Sequence, residues 1–369
     1  MRLIQNLSTP LALAAVLVVS APLAAQETEG ELTFDIEFRL DEAPALSQGR
    51  TGTCWSFATT SFFETEILRL TGERVDLSEL YAVRYAYLEK AKRYIEAKGD
   101  ARFSEGGLSH DLILVARQHG VMPASQFDGL PDDQQVHNHG ELSAVLTSMV
   151  KTLSSARKPS PYWPRAIEGV LDAYLGEVPS QVAVGDEAMS PSQYARQVCQ
   201  LPVDEYVELM SYQKQGFDQK AELPVPDNWM HYDGYWNVNV EDMMSTIEHA
   251  LDNGYSIALD CDVSEPRVDA RGGVFQLTED EEAAEVTDEM RQEEFDSEDT
   301  TDDHLMVIVG KARASDGRTF YVVKNSWGPI GPFEGYVMIS QQFVARKTLG
   351  IMLHQDGVPA TIRSTFEGN

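Results

Sequence analysis

The hydrophobic pattern of this chain changes at Asn253-Gly254, and this change limits the folds that the chain can adopt. Before this point apolar residues recur mainly at helical spacing, whereas after it short β-branched segments lie between turn residues. Strands are predicted at 255–263, 305–309, 320–324 and 336–340. A helix-rich part followed by a strand-rich part predicts an α+β protein with two lobes and a cleft between them.

The first well-defined helix is predicted to run from Cys54 to Leu70. Small and apolar side chains recur there at helical spacing, and Gly72 follows as a stop signal. Ser78 is predicted to cap a second helix that runs toward Ile95. Further helices are predicted at 108–116, 142–153, 165–174, 191–198, 203–210 and 240–251.

Cys54 stands where the glycine-containing segment 48–53 enters the first predicted helix. The unpaired N–H groups and the positive end of the macrodipole at a helix N-terminus favour thiolate over thiol. A thiol in this setting is a candidate nucleophile. The alternative is a buried structural thiol, and the glycines that flank Cys54 argue against it.

His304 and Asn325 are the two downstream residues that complete a catalytic pattern with Cys54. His304 opens one strand-like apolar run after Asp302-Asp303, and Asn325 follows another within Lys324-Asn325-Ser326-Trp327-Gly328. A thiol, an imidazole and an amide in this chain order predict a catalytic triad. Without the other two residues, Asn-Ser-Trp-Gly would be interpreted as an ordinary turn.

The other seven of the eight histidines are interpreted as surface or satisfied core residues. The pair His137 and His139 resembles a metal-binding pair, but no acidic or cysteine residue stands nearby at a ligand spacing. We therefore predict no metal site and no cofactor.

These motifs resemble the papain superfamily of cysteine peptidases, and the resemblance extends from about Gln48 to Pro359. The flanking sequence is similar to the aminopeptidase C and bleomycin hydrolase branch. Thr51 occupies the position where papain has a disulfide-forming cysteine, and this branch also lacks that cysteine. The segments that carry the resemblance to the branch are Leu77-Ser78-Glu79, Gly106-Gly107, Asp227-Asn228-Trp229, 295–304 and Asn325-Ser326-Trp327-Gly328.

The resemblance implies a role for each matching residue. Cys54 would be the nucleophile and His304 its base, and Asn325 would orient the ring of His304. Gln48 would donate to the oxyanion with the backbone N–H of Cys54, and Trp327 would shield the bond between the ring and the amide. Gly106 and Gly107 would let the substrate backbone approach the cleft wall, with a simple loop-to-helix turn as the alternative. We expect thiolate and imidazolium as the resting pair.

The resemblance also implies a papain-like two-lobed fold, in which a helical left lobe faces an antiparallel β-barrel-like right lobe. Cys54 and His304 are roughly 250 residues apart, against about 130 to 150 in papain-like enzymes. More than a hundred residues, interpreted as a helical insertion, therefore lie between nucleophile and base. The branch forms hexamers, so a homo-oligomer is expected from the resemblance alone.

The function predicted from the sequence is a cysteine-type peptidase that acts on peptide substrates, with an aminopeptidase preferred. Members of the branch place their own C-terminal carboxylate in the cleft, where it meets the substrate's α-ammonium. The tail 360–369 does not match the ending of that branch. A papain-like endopeptidase therefore remains an alternative, and an inactive peptide-binding or scaffold homologue is another.

The N-terminus is interpreted as an export signal over residues 1–25. Arg2 precedes the apolar segment 11–19, and small residues continue through Ala25. The apolar segment is short for a membrane span, although an uncleaved anchor is the alternative. We expect a helical lobe at 26–252, a β-rich lobe at 253–369, and a periplasmic or extracellular location.

The charge balance is strongly acidic, with 29 Lys and Arg against 59 Asp and Glu and a formal net charge of −30. Such a surface repels polyanions, so we predict no binding to nucleic acid and none to the membrane once the signal is removed. Residues 279–303 contain fourteen carboxylates and only Arg291 as a base. This acidic run is interpreted as a solvated helical face, with a cation site or an electrostatic effect on His304 as alternatives. Carboxylates near His304 would attract amine-bearing substrates.

The chain contains only three cysteines, which are Cys54, Cys199 and Cys261. Export would permit a disulfide between Cys199 and Cys261. Cys261 lies in an apolar run, however, and buried free thiols are common, so both states remain open.

Overall fold

Helix α1, Cys54–Thr71, occupies the centre of the fold in the computed structural model, which describes residues 32–131 and 134–366. Every side chain from Trp55 to Ile67 is buried, because the helix packs against α2 and α3 on one side and the sheet on the other. Gly72 ends α1 in the left-handed conformation with φ 74°. The signal predicted at 1–25 lies outside the described residues.

Most helices predicted before residue 253 are confirmed. Ser78 caps α2 as expected, because its Oγ accepts from the backbone N–H of Tyr81 at 3.0 Å. The helices after α1 are α2 Glu79–Glu96, α3 Ser109–His119, α4 Gly140–Ser155, α5 Trp163–Leu175, α6 Pro191–Gln197, α7 Val240–Asp252, α8 Glu279–Glu282, α9 Asp288–Ser297, α10 Gln341–Lys347 and α11 Ala360–Phe366.

The helix predicted at 203–210 is wrong, because residues Tyr206–Met210 form strand β4. The spacing of Val203 and Val207 suits a helix, but β4 pairs antiparallel with Thr348–His354, which is strand β13. This pairing satisfies the backbone of β4 and buries its last three side chains. Tertiary pairing thus outweighed a weak local helical pattern.

The strands form one eleven-stranded, mostly antiparallel sheet in the described chain, and a separate two-stranded ribbon. The strand order of the large sheet is β5-β6-β4-β13-β7-β10-β11-β12-β9-β8, and β1 pairs with β10. The strands not yet given are β1 Phe34–Arg39, β2 Val182–Val184, β3 Glu187–Met189, β5 Gln219–Ala221, β6 Tyr235–Asn237, β7 Ile257–Cys261, β8 Val268–Asp269, β9 Val274–Phe275, β10 His304–Ala314, β11 Thr319–Lys324 and β12 Tyr336–Ser340.

The strands predicted after residue 253 are confirmed as β7, β10, β11 and β12, and the α+β class is confirmed with them. The boundary predicted at residue 252 separates segments that share this sheet, since β1 and β4 to β6 precede it. The sheet carries a hydrophobic core on each face. One core includes Leu305 and Val307 and packs against α1, whereas the other includes Met306 and Ile308 and packs against α7, α10 and α11. Strand β7 is buried at every position because both faces are covered.

The cysteines are free thiols, and both Cys199 and Cys261 are buried. The disulfide considered between these two residues is therefore not formed in this structure. In the part of the chain that the structure describes, no helix combines the length and apolar character needed to cross a membrane.

Glu79 in the first turn of α2 provides a test of this buried architecture. Burial, with the nearby Glu64 carboxylate, raises the pKa of Glu79 from 4.5 to about 8. Between these two values the unfolded chain loses the proton that the folded chain keeps, so folding stability falls as pH rises. We expect Glu79→Gln to raise the free energy of unfolding by about 2 kcal/mol or more at pH 8 and to have little effect at pH 4.5.

Thermal and urea unfolding at the two pH values measure this change. Glu96→Gln is the matched control, because Glu96 is exposed near the end of the same helix. If Glu79→Gln changes the free energy of unfolding equally at both pH values, the pKa assigned to Glu79 is contradicted.

Candidate active site

Cys54 begins α1 and is the partly exposed residue ahead of a fully buried stretch. Thr53 provides no side-chain cap for this helix end, and its backbone carbonyl accepts from the N–H groups of Ser56 and Phe57. Burial raises the pKa of the Cys54 thiol to about 12, with Asp302 and Asp260 adding to the rise, while the backbone N–H groups of Leu305 and Trp55 act to lower it. The contact with Leu305 places Cys54 beside the residue that follows His304.

His304 is the first residue of β10 and its ring is buried. The Nε2 atom of His304 lies 2.8 Å from Asn325 Oδ1, which also accepts the backbone N–H of Ser326 at 2.7 Å. Because this amide oxygen is an acceptor in both bonds, Nε2 must carry the ring proton in the neutral form. The Nδ1 atom is then the unprotonated nitrogen, as a general base requires.

Burial also lowers the pKa of His304, to about 4, although the bond to Asn325 works in the opposite direction. The neutral forms of His304 and Cys54 are thus each favoured when the groups are considered separately. An ion pair requires that the proton move from sulfur to nitrogen, so that each charge stabilises the other. The thiolate and imidazolium pair expected from the sequence therefore stays a prediction.

Trp327 covers the ring of His304, with a centroid separation of 4.9 Å and an interplanar angle of 27°. This stacking holds the ring in place and restricts water around its bond to Asn325, which strengthens that bond. Trp327 also forms a bridge with Ser47 of the loop that leads to Cys54. Trp327 therefore contacts the base, in agreement with the shielding role that the resemblance implies, and a contact between Trp327 and substrate stays a prediction.

Gln48 is fixed at both ends of its side-chain amide. Its Oε1 accepts from Ser326 Oγ at 2.6 Å, and its Nε2 donates to the carbonyl of Thr51 at 2.7 Å. The backbone N–H of Gln48 also donates to the carbonyl of Ser326 at 2.8 Å. Since an amide nitrogen carries two protons, one N–H of Gln48 is left for an oxyanion.

Ser326 is a positioning residue that the sequence analysis missed. It joins the segment of Asn325 to the segment of Gln48, and its side chain is buried between them. Its place inside Asn-Ser-Trp-Gly was visible in the sequence, but its partner 278 positions away was not.

The loop of Gly106 and Gly107 lies beside the Cys54 segment. In this loop the carboxylate of Glu105 accepts from the backbone N–H of Gly52, and the Glu105 carbonyl accepts from Trp55 Nε1. A Cβ on Gly106 would collide with the carboxylate of Asp227. A Cβ on Gly107 would collide with the Asp111 carboxylate and crowd the Trp55 ring. Close packing inside the protein is therefore sufficient reason for these glycines, and their predicted contact with substrate stays a prediction.

The other histidines have structural surroundings. His110 pairs with Glu208, with Nδ1 to Oε2 at 3.2 Å, and His354 contacts Glu205 at 3.2 Å. His139 is buried just before α4, in the same short segment as His137. Over residues 32–131 and 134–366, no group of three or more His, Cys, Asp or Glu residues has a metal-binding arrangement.

Residues 183–369, slightly more than half of the chain, match the family model described as Peptidase C1-like family. The chain is 20% identical to an Aminopeptidase C of Listeria monocytogenes serovar 1/2a over 355 residues, covering 84% of this chain and 79% of that protein. It is 20% identical to the Aminopeptidase C of Lactococcus lactis subsp. cremoris, covering 87% and 83%.

The crystal structure of PepW from Lactobacillus rhamnosis superposes with a TM-score of 0.71 at 18% identity. The match covers 90% of this chain and 84% of PepW. This likeness confirms the papain-like fold, in which the described site lies between the start of α1 and the start of β10. With the family match over residues 183–369, it follows that this chain is a cysteine peptidase that belongs to the Peptidase C1-like family.

Proposed function

We propose that this protein is an aminopeptidase that removes the N-terminal residue of peptides through Cys54, His304 and Asn325. The observation that carries the catalytic part is the bond from His304 Nε2 to Asn325 Oδ1, because it leaves Nδ1 free as the base. The restriction to N-terminal residues is supported by the two relatives named Aminopeptidase C. A papain-like endopeptidase uses the same chemistry, so the two differ only in substrate.

In the acylation step, Cys54 Sγ attacks the carbonyl carbon of the first peptide bond while its proton passes to His304 Nδ1. The oxyanion that forms accepts hydrogen bonds from the backbone N–H of Cys54 and from Gln48 Nε2. When the C–N bond breaks, His304 donates the proton to the leaving amine. The N-terminal residue is then held as a thioester.

In the deacylation step, water attacks the thioester carbon and gives a proton to His304 Nδ1. The second tetrahedral intermediate uses the same oxyanion donors. It collapses by breaking the C–S bond, and the sulfur recovers the proton from the imidazolium. Trp327 limits water on one face of the ring during both steps.

A pair of fluorogenic peptides tests this proposal directly. We expect the free-amine peptide to be cleaved at least about tenfold faster than its N-acetylated counterpart, because one desolvated charged contact is worth 1.4 kcal/mol or more. Equal rates would indicate the endopeptidase. Mass spectrometry after treatment with an epoxide thiol inhibitor tests the third alternative, since folded protein without an adduct on Cys54 would indicate a scaffold.

We further propose that the protein is exported to the periplasm or the extracellular space after removal of residues 1–25. The basic, apolar and small-residue order of that segment supports this location. N-terminal sequencing of the mature protein tests it, and a protein that retains Met1 in the membrane fraction would contradict it. A homo-oligomer, hexameric by resemblance to the branch, is testable by light scattering.

A further inference from the structure

Asp260 in β7 is a buried carboxyl group that the proposed mechanism does not use. It is only 5% exposed, and neither carboxylate oxygen has a hydrogen-bond partner among the residues that the structure describes. Burial of an unpaired carboxyl group destabilises the fold unless another group compensates it. A buried carboxyl group without a hydrogen-bond partner near an active site suits a group that a ligand supplies.

Asp260 lies at the candidate active site. It pairs with Leu305 in the register between β7 and β10, so it is opposite the residue that follows His304. Asp260 lines a cavity of about 10 Å³ together with Leu305, and Leu108 and Ser109 line its other side directly after the glycine pair. The cavity therefore lies between the loop of Gly106-Gly107 and the strand of His304.

Other carboxyl groups lie near Asp260, since Glu208 lines the same cavity and the Asp227 carboxylate lies against Gly106 in the neighbouring loop. We define the acidic pocket as Asp260, Asp302 and Asp227. Both Asp302 and Asp227 act electrostatically on Asp260, and burial together with these neighbours raises its pKa well above the usual range. Asp302 and Asp260 also act electrostatically on the Cys54 thiol.

The cations near the acidic pocket neutralise only Asp227. Arg102 binds Asp227, with Nε to Oδ1 at 3.0 Å. Lys90 donates to the carbonyls of Gly106 and Ser104, and His110 is paired with Glu208. Asp302 receives a backbone N–H from Asp227, which opposes the rise in its pKa. Over residues 32–131 and 134–366, neither Asp260 nor Asp302 forms an ion pair, although the charge of Arg102 acts to lower the pKa of Asp302.

The C-terminal segment contacts a different part of the sheet. Phe366 stacks on Trp236 with centroids 4.7 Å apart, and both belong to the core on the face away from α1. The adjacent Tyr235 points to the opposite face and lines the cavity of Asp260. The described part of the tail therefore does not supply a charged group to this cavity.

We propose that Asp260 and Asp302 bind the α-ammonium group of the substrate's N-terminal residue and thereby direct Cys54 to the first peptide bond. This inference rests on the proposed aminopeptidase function and identifies the residues that would bind the free amine. The ammonium would donate hydrogen bonds to Asp260 and supply the positive charge that an ionised Asp260 needs as a partner.

The covalent geometry of a peptide agrees with this arrangement. The α-nitrogen of the residue under attack lies about 2.5 Å from its carbonyl carbon, across two bonds. A carboxyl group that binds this nitrogen must therefore lie close to the sulfur. Asp260 is opposite Leu305, the residue that follows His304, and Asp302 stands two positions before His304.

The size of the cavity favours an ammonium group over a whole side chain. A volume of about 10 Å³ is at the lower limit for one water molecule, and an ammonium group has a similar size. A lysine or arginine side chain would need room for its aliphatic stem as well. A metal ion is a poor alternative, since the described residues include no metal-binding arrangement.

Alkylation of Cys54 by two reagents tests the proposal without requiring turnover. Leucine chloromethyl ketone has a free amine, and its N-acetyl derivative does not. We expect the wild type to react at least about tenfold faster with the free-amine reagent. Asp260→Asn and Asp302→Asn are each expected to reduce this preference by tenfold or more, since asparagine cannot ionise as a carboxyl group does when the ammonium binds.

Asp252→Asn is the matched control, because Asp252 is exposed at the end of α7 and changes the net charge equally. Its preference should equal that of the wild type. The rate with the N-acetyl reagent reports whether the site of each variant is folded. If Asp260→Asn does not fold, Asp302→Asn at a partly exposed position carries the test.

The outcomes separate this inference from the proposed function. A wild type that prefers free-amine peptides, with variants that keep the full preference, would overturn the role of the acidic pocket and leave the aminopeptidase intact. A wild type with no preference in either assay would overturn both. A third reagent, acetyl-lysyl-leucine chloromethyl ketone, distinguishes a basic side chain from the α-ammonium. If the Asp260→Asn variant is slowed only with that reagent, the inference is wrong.

Discussion

The Cys54→Ala variant is expected to lose peptidase activity by about four orders of magnitude or more in kcat/KM, because no other group of the site can form the thioester. The thermal stability should change little, since Cys54 is partly exposed at the start of α1. Steady-state cleavage of a free-amine fluorogenic peptide, with differential scanning fluorimetry on the same samples, measures both quantities.

Cys199→Ala is the control for this variant, because it removes a free thiol that is buried beyond the end of α6. It should lower stability and leave kcat/KM of the folded fraction unchanged. The double variant Cys54→Ala with His304→Ala should be no less active than Cys54→Ala alone, since the two residues act as a unit. Activity that survives in Cys54→Ala would exclude the thioester mechanism.

The Gln48→Ala variant is expected to lower kcat by about 100-fold to 1,000-fold, as removal of one oxyanion donor does elsewhere. The physical reason is that one N–H of Gln48 Nε2 is left after its bond to Thr51, while Ser326 holds the other end of the amide. The effect should fall on kcat more than on KM, because the oxyanion exists only in the tetrahedral states.

A peptide aldehyde inhibitor separates this role from a structural one. Its adduct with Cys54 is a hemithioacetal with a tetrahedral carbon, whose oxygen takes the place of the oxyanion, so the affinity of the aldehyde should fall in parallel with kcat. Gln126→Ala is the control, because this amide binds the backbone of Ala183 at 2.9 Å in an exposed position. If Gln48→Ala lowers the melting temperature but not the aldehyde affinity, Gln48 only stabilises the loop.

Local patterns in the sequence predicted most elements of the fold and the principal candidates of the site. The start of α1 at Cys54, its end at Gly72 and the cap at Ser78 depend on residues a few positions apart, so they could be predicted directly. The strands that contain His304 and precede Asn325 were equally evident from their β-branched composition. The failure at β4 came from a segment whose local signal was weak and whose partner strand was distant.

Contacts between distant segments could not be predicted, because they depend on strand register and on which faces pack together. The register that sets Asp260 opposite Leu305 brings a second carboxyl group to the site, although Asp260 lies 44 positions before His304. The bond between Ser326 and Gln48 is another such case, as is the collision that makes Gly106 necessary beside Asp227.

Short-range rules were thus enough for the helix that presents the thiol, the strand that presents the imidazole, and the chemistry that these groups share. Hydrophobic period, caps and helix-end polarity act within one or two turns, and residues 48–58 and 302–328 contain these signals in full. The tautomer of His304, the restraint on Gln48 and the unpaired state of Asp260 arose only when the sheet and α1 had packed together. Burial removes water as a partner, so only the folded arrangement decides which polar groups are satisfied and which still need a ligand.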